Sequence, residues 1–392
     1  MPDARVPRSL RRAQELFVAS NGVRLLINGR EAFPEMLEAI RGAKHSVLLE
    51  MYWFDSDRVG RTFAAALTDA ARRGVKVAVI YDAIGSLGAS PQMFDELRAE
   101  GIHVLEYNPV APWRRRFRLD RLTRRDHRKI LLVDGTLGFT GGVNLADQWA
   151  PEEEEHGGGW RDDMIRVEGP AVDGFLRCFA GAWRRQAGEL PPFVAEALAA
   201  PEPRPTGRSE GHRVQVVGEV GLGGRHAMGS SYLVAIYRAD RRVWIKNSYF
   251  VPDRRVVRAL RRAARRGVDV RVIVPGESDV PVTAWASRHV WGRLMRSGVR
   301  IYQWTRGILH SKTAVVDGNW STIGTFNLDH LSLRMNLEVN VTVLDADFGA
   351  RMEHSFMSDL GQCVEVEPRG FRFRSLGDRL LELIAYRFRK FL

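Results

Sequence analysis

Apolar positions along this chain follow two rhythms. Continuous, partly β-branched runs such as Ile130–Val133 and Thr313–Val316 predict buried strands. Stretches such as Thr62–Arg73 and Arg254–Arg266 place apolar residues at helical spacing among arginines and predict amphipathic helices. Gly74 and Gly267 follow these helices as C-cap signals and lead directly into the next strand. In each half the order reads helix, strand, helix, strand, helix, strand and then a final strand. That alternation predicts an α/β layer fold.

The rhythm repeats. Val47–Phe54 aligns with Val243–Phe250, which places Asp57 opposite Asp253. Ala70–Ile80 aligns with Ala263–Ile273, and Gly101–Leu105 with Gly298–Tyr302. Between the halves, residues 199–211 are rich in Pro, Gly and polar side chains, a linker composition. The chain of 392 residues therefore divides into 1–198, the linker 199–211, and 212–392, each half long enough to bury a core.

The repeat also carries chemistry. His127-Arg-Lys129-Ile-Leu-Leu-Val-Asp134 and His310-Ser-Lys312-Thr-Ala-Val-Val-Asp317 share the pattern H-x-K-x-x-x-x-D. After the same six-residue gap, Gly141-Gly142-Val-Asn144 and Gly324-Thr325-Phe-Asn327 follow. Residues two apart on a strand share a face, so each histidine points with its lysine. Two such halves brought together supply two imidazoles for nucleophile and acid/base roles. Lys129, Lys312, Asn144 and Asn327 would then be donors to a phosphoryl group. No metal is needed to neutralise that charge, and no Cys/His cluster suggests one. The candidate catalytic set is thus His127, Lys129, Asp134, His310, Lys312 and Asp317. Within it Asp134 and Asp317 fall on the opposite strand face, before Asp-Gly turn signals, where a supporting role is expected.

The doubled motif with its downstream asparagine resembles the phospholipase D superfamily over about residues 23–348. The segments Leu26–Gly29, Leu49–Phe54, Trp160–Asp162, Val167–Pro170, Tyr249–Asp253, Gly324–Asp329 and Asn336–Asn340 are most similar to bacterial cardiolipin synthases, in the short branch without two N-terminal transmembrane helices. The resemblance implies two tandem α/β sandwich domains related by a pseudo-twofold axis, with the active site at their interface. It implies that His127 attacks a phosphodiester and His310 serves as acid and base. Asp162 and Glu338 stand at the family positions that orient the histidines, with Asp163 the neighbour most easily confused with Asp162. No cofactor is implied. The turns depart from the pattern, with Gly142 and Thr325 where serine is commoner, but both asparagines survive.

Composition narrows the partners. Lys and Arg outnumber Asp and Glu by 59 to 47, a net charge of +12, which favours anionic partners such as lipid headgroups or nucleic acid. No stretch approaches the roughly 18 apolar residues of a membrane span, and the basic N-terminus lacks the apolar core of a signal peptide. Two cysteines, Cys178 and Cys363, make no disulfide framework. These features lead to an expected peripheral location on the cytoplasmic face of the bacterial membrane. Two segments could reach lipid: the Arg-rich Pro112–Arg118 with Trp113, and the basic amphipathic 376–392. The latter could equally pack on the second domain with a solvated basic face. Glu152–Glu155 and Gly157–Gly159 read as a mobile loop near the site mouth or, equally, as a plain surface loop.

The expected reaction is phosphatidyl transfer between phospholipids, making cardiolipin from phosphatidylglycerol with release of glycerol. A phospholipase D hydrolase is the close alternative, because acceptor choice is not written in the motif. A nuclease would suit the charge, but aromatic segments around Trp53, Trp113 and Tyr249 lean toward lipid and make nucleic acid a less expected partner.

Overall fold

The computed structural model describes residues 5–6, 17–111, 123–150, 159–200, 211–218 and 227–391. Pro112–Arg118, Glu152–Glu155 and most of the 199–211 linker, all singled out above, lie outside these residues.

The first half supplies β1 (Val18–Ile27), β2 (Ser46–Met51), β3 (Lys76–Asp82), β4 (His103–Tyr107), β5 (Lys129–Val133), β6 (Leu137–Gly141) and β7 (Asp163–Glu168). The second supplies β8 (His212–Gly218), β9 (Arg242–Asn247), β10 (Asp269–Glu277), β11 (Arg300–Ile308), β12 (Lys312–Val316), β13 (Trp320–Gly324), β14 (Val339–Leu344) and β15 (Cys363–Glu365). Hydrogen bonding runs in the order β15-β11-β10-β9-β12-β13-β14-β8-β1-β7-β6-β5-β2-β3-β4. Apart from β15, the order read outward from the β8–β1 junction is the same in both directions. The repeat in sequence is therefore a repeat in topology.

Strand alternation feeds two different cores. On β2, Val47 and Leu49 face the outer helices of the first half, while Leu48 joins an inner cluster. On β12, Ala314 and Val316 face outward and Val315 inward. The inner cluster draws Ile130, Leu132 and Ile165 from the first half and Ile323, Val339 and Val341 from the second. One continuous core thus clamps the halves together, with both strand faces covered.

Local signals account for the element ends. Asp57 and Asp253 are the N-caps of Arg58–Arg72 and Arg254–Arg265, accepting bonds from otherwise unpaired helix N–H groups. Gly74 and Gly267, at φ +88° and +90°, occupy the left-handed position that ends each helix. Asp134 and Gly135, at φ 51° and 64°, form a tight hairpin turn, as do Asp317 and Gly318 at 54° and 70°.

Candidate active site

His127 lies two residues before β5, and His310 two residues before β12. Each is pinned by backbone bonds to the opposite half. His127 N donates to Leu337 O at 3.0 Å, and His310 N to Arg161 O at 2.8 Å. The side chains repeat the exchange. His127 Nδ1 is 3.1 Å from Glu338 Oε2, and His310 Nδ1 is 2.7 Å from Asp162 Oδ2. Each half therefore lends its carboxylate to the other half's histidine. With Nδ1–H held this way, Nε2 of each ring is left for chemistry.

The carboxylates are held differently. Glu338 accepts from Thr325 Oγ1 at 2.5 Å and from Ser332 Oγ at 2.8 Å. Asp162 accepts from the Trp149 indole N–H at 2.9 Å and from the Asp163 backbone N–H at 2.9 Å. This difference explains the unusual first turn. A Cβ at Gly142 would come within 2.0 Å of Asp162 Oδ1, so the glycine makes room for a carboxylate whose side-chain donor is Trp149. Trp149 lies five residues after Asn144, as Ser332 lies five after Asn327, but the two residue types differ, so the repeat carries no signal for it.

Asp163 has a different task from its neighbour. It joins Arg161, Lys246 and Asp359 in a buried charge network, with Lys246 Nζ 2.7 Å from both carboxylates. Asp134 and Asp317 are also outside the site, which corrects their place in the catalytic set. They lie at the far ends of β5 and β12. The Asp134 carboxylate accepts from the backbone N–H groups of Lys44, His45 and Ser46, and Asp317 from those of Asp240, Arg241 and Arg242. A left-handed turn residue with a short carboxylate suits this anchoring role.

Both histidines open into one cavity of about 410 Å³, lined also by Asn144, Asn327, Arg125, Tyr52, Trp53, Trp160 and Tyr249. The asparagines are oriented from behind: Asn144 Oδ1 accepts from Trp53 N, and Asn327 Oδ1 from Ser248 Oγ. Lys129 and Lys312 lie beneath the floor, fully buried. Lys129 Nζ donates to His127 O at 2.8 Å, and Lys312 Nζ donates to His310 O. Arg125 is held by a fork to buried Asp82 and donates to the Tyr107 and Asn108 carbonyls. Aromatic edges complete the walls, with the Tyr52 ring 4.8 Å from that of His127 and the Trp149 ring 5.3 Å from that of His310.

Electrostatics follow from burial. It pushes His127 down to about 4 against the pull of Glu338, and lowers His310 as well. Burial, aided by mutual repulsion, pushes Lys129 down to about 7, and burial pushes Lys312 to about 8. Burial disfavours the Asp162 and Glu338 anions, but the histidine beside each, together with its hydrogen-bond donor and the nearby lysine, holds both below the usual carboxylate range. The result is an anion-attracting cleft with two oriented imidazoles.

The family model described as cardiolipin synthase, phospholipase D-like domain, matches residues 36–157 and 232–360. Probable cardiolipin synthase YwiE of Bacillus subtilis is 32% identical over 96% of this chain and 73% of its own length. Cardiolipin synthase A of Pseudomonas fluorescens SBW25 is 35% identical over 94% of this chain and 75% of its own. The crystal structure of phosphatidylserine synthase from Haemophilus influenzae superposes with a TM-score of 0.73 at 13% identity, covering 98% of this chain and all of that one, and so shares the fold. With two motif histidines converging in one cleft, and a family model matched in both halves, the chain belongs to the cardiolipin synthase family of phospholipase D-like enzymes.

Proposed function

We propose that the protein transfers a phosphatidyl group from one phosphatidylglycerol to the hydroxyl of another, making cardiolipin and releasing glycerol. The observation that carries this reading is the pair of histidines in one cleft, each oriented by the opposite half's carboxylate. His127 Nε2 attacks phosphorus, the bond to the glycerol oxygen breaks, and His310 gives that oxygen its proton. His310 then takes the proton from the acceptor hydroxyl, whose oxygen displaces His127. Asn144 and Asn327 face the phosphoryl oxygens, and the buried Lys129 and Lys312 supply positive potential from below. The aromatic walls give the lipid's glycerol and acyl portions an apolar surface.

In this reading the enzyme works peripherally at the inner face of the membrane. Among the described residues no helix is long and apolar enough to cross a bilayer. The test is to incubate purified protein with phosphatidylglycerol vesicles and resolve the lipids by mass spectrometry. Cardiolipin with stoichiometric glycerol is expected. Phosphatidic acid alone would make water the acceptor and the enzyme a hydrolase.

A pH profile tests the electrostatics. The free enzyme, which kcat/KM reports, needs a neutral His127, a protonated His310 and charged lysines. With His127 pushed to about 4, the acid limb is expected near 4, well below the roughly 6.5 of an ordinary histidine. Rising pH removes protons from Lys129 at about 7 and Lys312 at about 8, so affinity for the anionic substrate falls. Buried Asp329 in the cleft wall, pushed up to about 7, ionises in the same window and adds repulsion. With His310 also lowered by burial, kcat/KM is expected to peak on the acid side of neutrality. A profile still rising above pH 8 on a soluble short-chain substrate would sink this account.

A further inference from the structure

A second cavity, about 590 Å³, takes no part in the chemistry. It opens between the helix Pro281–Met295, the short helix Pro368–Arg372 and the helix Leu376–Arg387. Arg293, Arg296, Arg372, Arg374 and Arg379 line it, with Glu382 the one carboxylate among the lining residues. Glu382 is buried and already forked by Arg374. Arg293, Arg296 and Arg372 have no carboxylate partner among the described residues. Guanidinium groups lining one concavity make it a positive surface, and a phosphate placed among them would accept charge-assisted hydrogen bonds.

What lies beside the cavity indicates the source of the phosphate. The helix Leu376–Arg387 buries only Glu382 and Ala385 fully. Leu376, Leu380 and Ile384, spaced four apart, are 81%, 58% and 47% exposed, and Phe388 continues the row at 57%. This is an apolar stripe turned away from the protein and flanked by Arg379, Arg387 and Lys390. The helix packs on Pro281–Met295 and still presents an apolar face that has no partner among the described residues. Its neighbour runs from the catalytic cleft, where Thr283 is in the lining, to the basic cavity at Arg293. Ten helical residues make that about 15 Å. On the first half, Ile84 lines the cleft and nearby Leu87 is exposed, so apolar side chains project beside the cleft there too.

We propose that this cavity is a second, non-catalytic site for the phosphate-bearing headgroup of an anionic phospholipid, with the Leu376–Arg387 helix lying in the bilayer surface beside it. Occupied, it would hold the catalytic cleft against the leaflet that supplies its substrates. The proposal rests on the lipid reading above but concerns binding alone, so it and the transfer reaction can fail separately.

The experiment is sedimentation of the full-length protein with phosphatidylcholine vesicles containing or lacking phosphatidylglycerol. The triple variant Arg293→Gln, Arg296→Gln, Arg372→Gln is expected to lose affinity for phosphatidylglycerol vesicles on the order of a hundredfold, while its weak binding to pure phosphatidylcholine persists. Leu380→Ser with Ile384→Ser and Phe388→Ser is expected to lose about tenfold or more on both. Both variants should turn over a soluble short-chain phosphatidylglycerol at the wild-type rate, which separates docking from folding and chemistry. Wild-type vesicle binding by the arginine variant would overturn the headgroup site. Saturable binding of inorganic phosphate that this variant loses, without any vesicle defect, would assign the cavity to a soluble anion. An apolar variant that binds vesicles normally but sediments as a smaller species would make the face a contact between copies of the chain.

Discussion

His310→Ala is expected to lower turnover of phosphatidylglycerol by about 10⁴-fold or more while the protein stays folded. The ring is buried against Trp149 and Trp160, but it forms part of a cavity wall, so its loss opens space without leaving a large gap in the core. In the proposed assignment turnover falls because glycerol is a poor leaving group and takes its proton from this imidazole. The same substitution should spare the first step for an ester whose alcohol leaves unaided, such as a p-nitrophenyl phosphatidyl ester. One burst of nitrophenol should then appear, and a phosphorylated peptide containing His127 should accumulate, because no base remains to activate the acceptor. His127→Ala should give neither burst nor adduct. An adduct on His310 in the His127→Ala protein would reverse the assignment of nucleophile and acid.

The second expectation concerns the exchanged carboxylates. Asp162→Asn and Glu338→Gln should each lower kcat by about 10³–10⁴-fold with KM little changed, as when the carboxylate behind a catalytic histidine becomes an amide. The amide can offer a hydrogen to Nδ1 and so favour the wrong tautomer, and it no longer stabilises the imidazolium. Because each carboxylate serves the histidine of the other half, the two variants should fail at different steps. With the p-nitrophenyl ester, Glu338→Gln should slow the burst, since it faces His127. Asp162→Asn should leave the burst and slow only release from the enzyme, since it faces His310. A slowed burst in Asp162→Asn with a normal one in Glu338→Gln would contradict either the pairing or the order of the histidines.

Much of this molecule was readable from local signals. The Asp134-Gly135 and Asp317-Gly318 pairs announce their turns because only a few residue types accept a positive φ, and the helix-ending glycines do so for the same reason. Alternation on β2, β5 and β12 is a property of the pleat, so which side chains leave each strand on which face needs no tertiary information. The repeat showed that two half-sites exist. It could not reveal Trp149, whose indole donates to Asp162 from the register at which Ser332 donates to Glu338, because the two residue types share no pattern to match. Nor could it show that the lysines lie under the cavity floor, since burial depends on what closes over them.

By itself, then, the chain determined the order of its elements, the faces of its strands and the paired histidines and asparagines of the repeated motif, because each depends on neighbours within a few residues. Only the tertiary structure decided who partners whom. The bonds from His127 to Glu338 and from His310 to Asp162 join residues 211 and 148 positions apart. They form across the inner core, where two matching half-sheets pack and each carboxylate lands nearer the other half's histidine than its own.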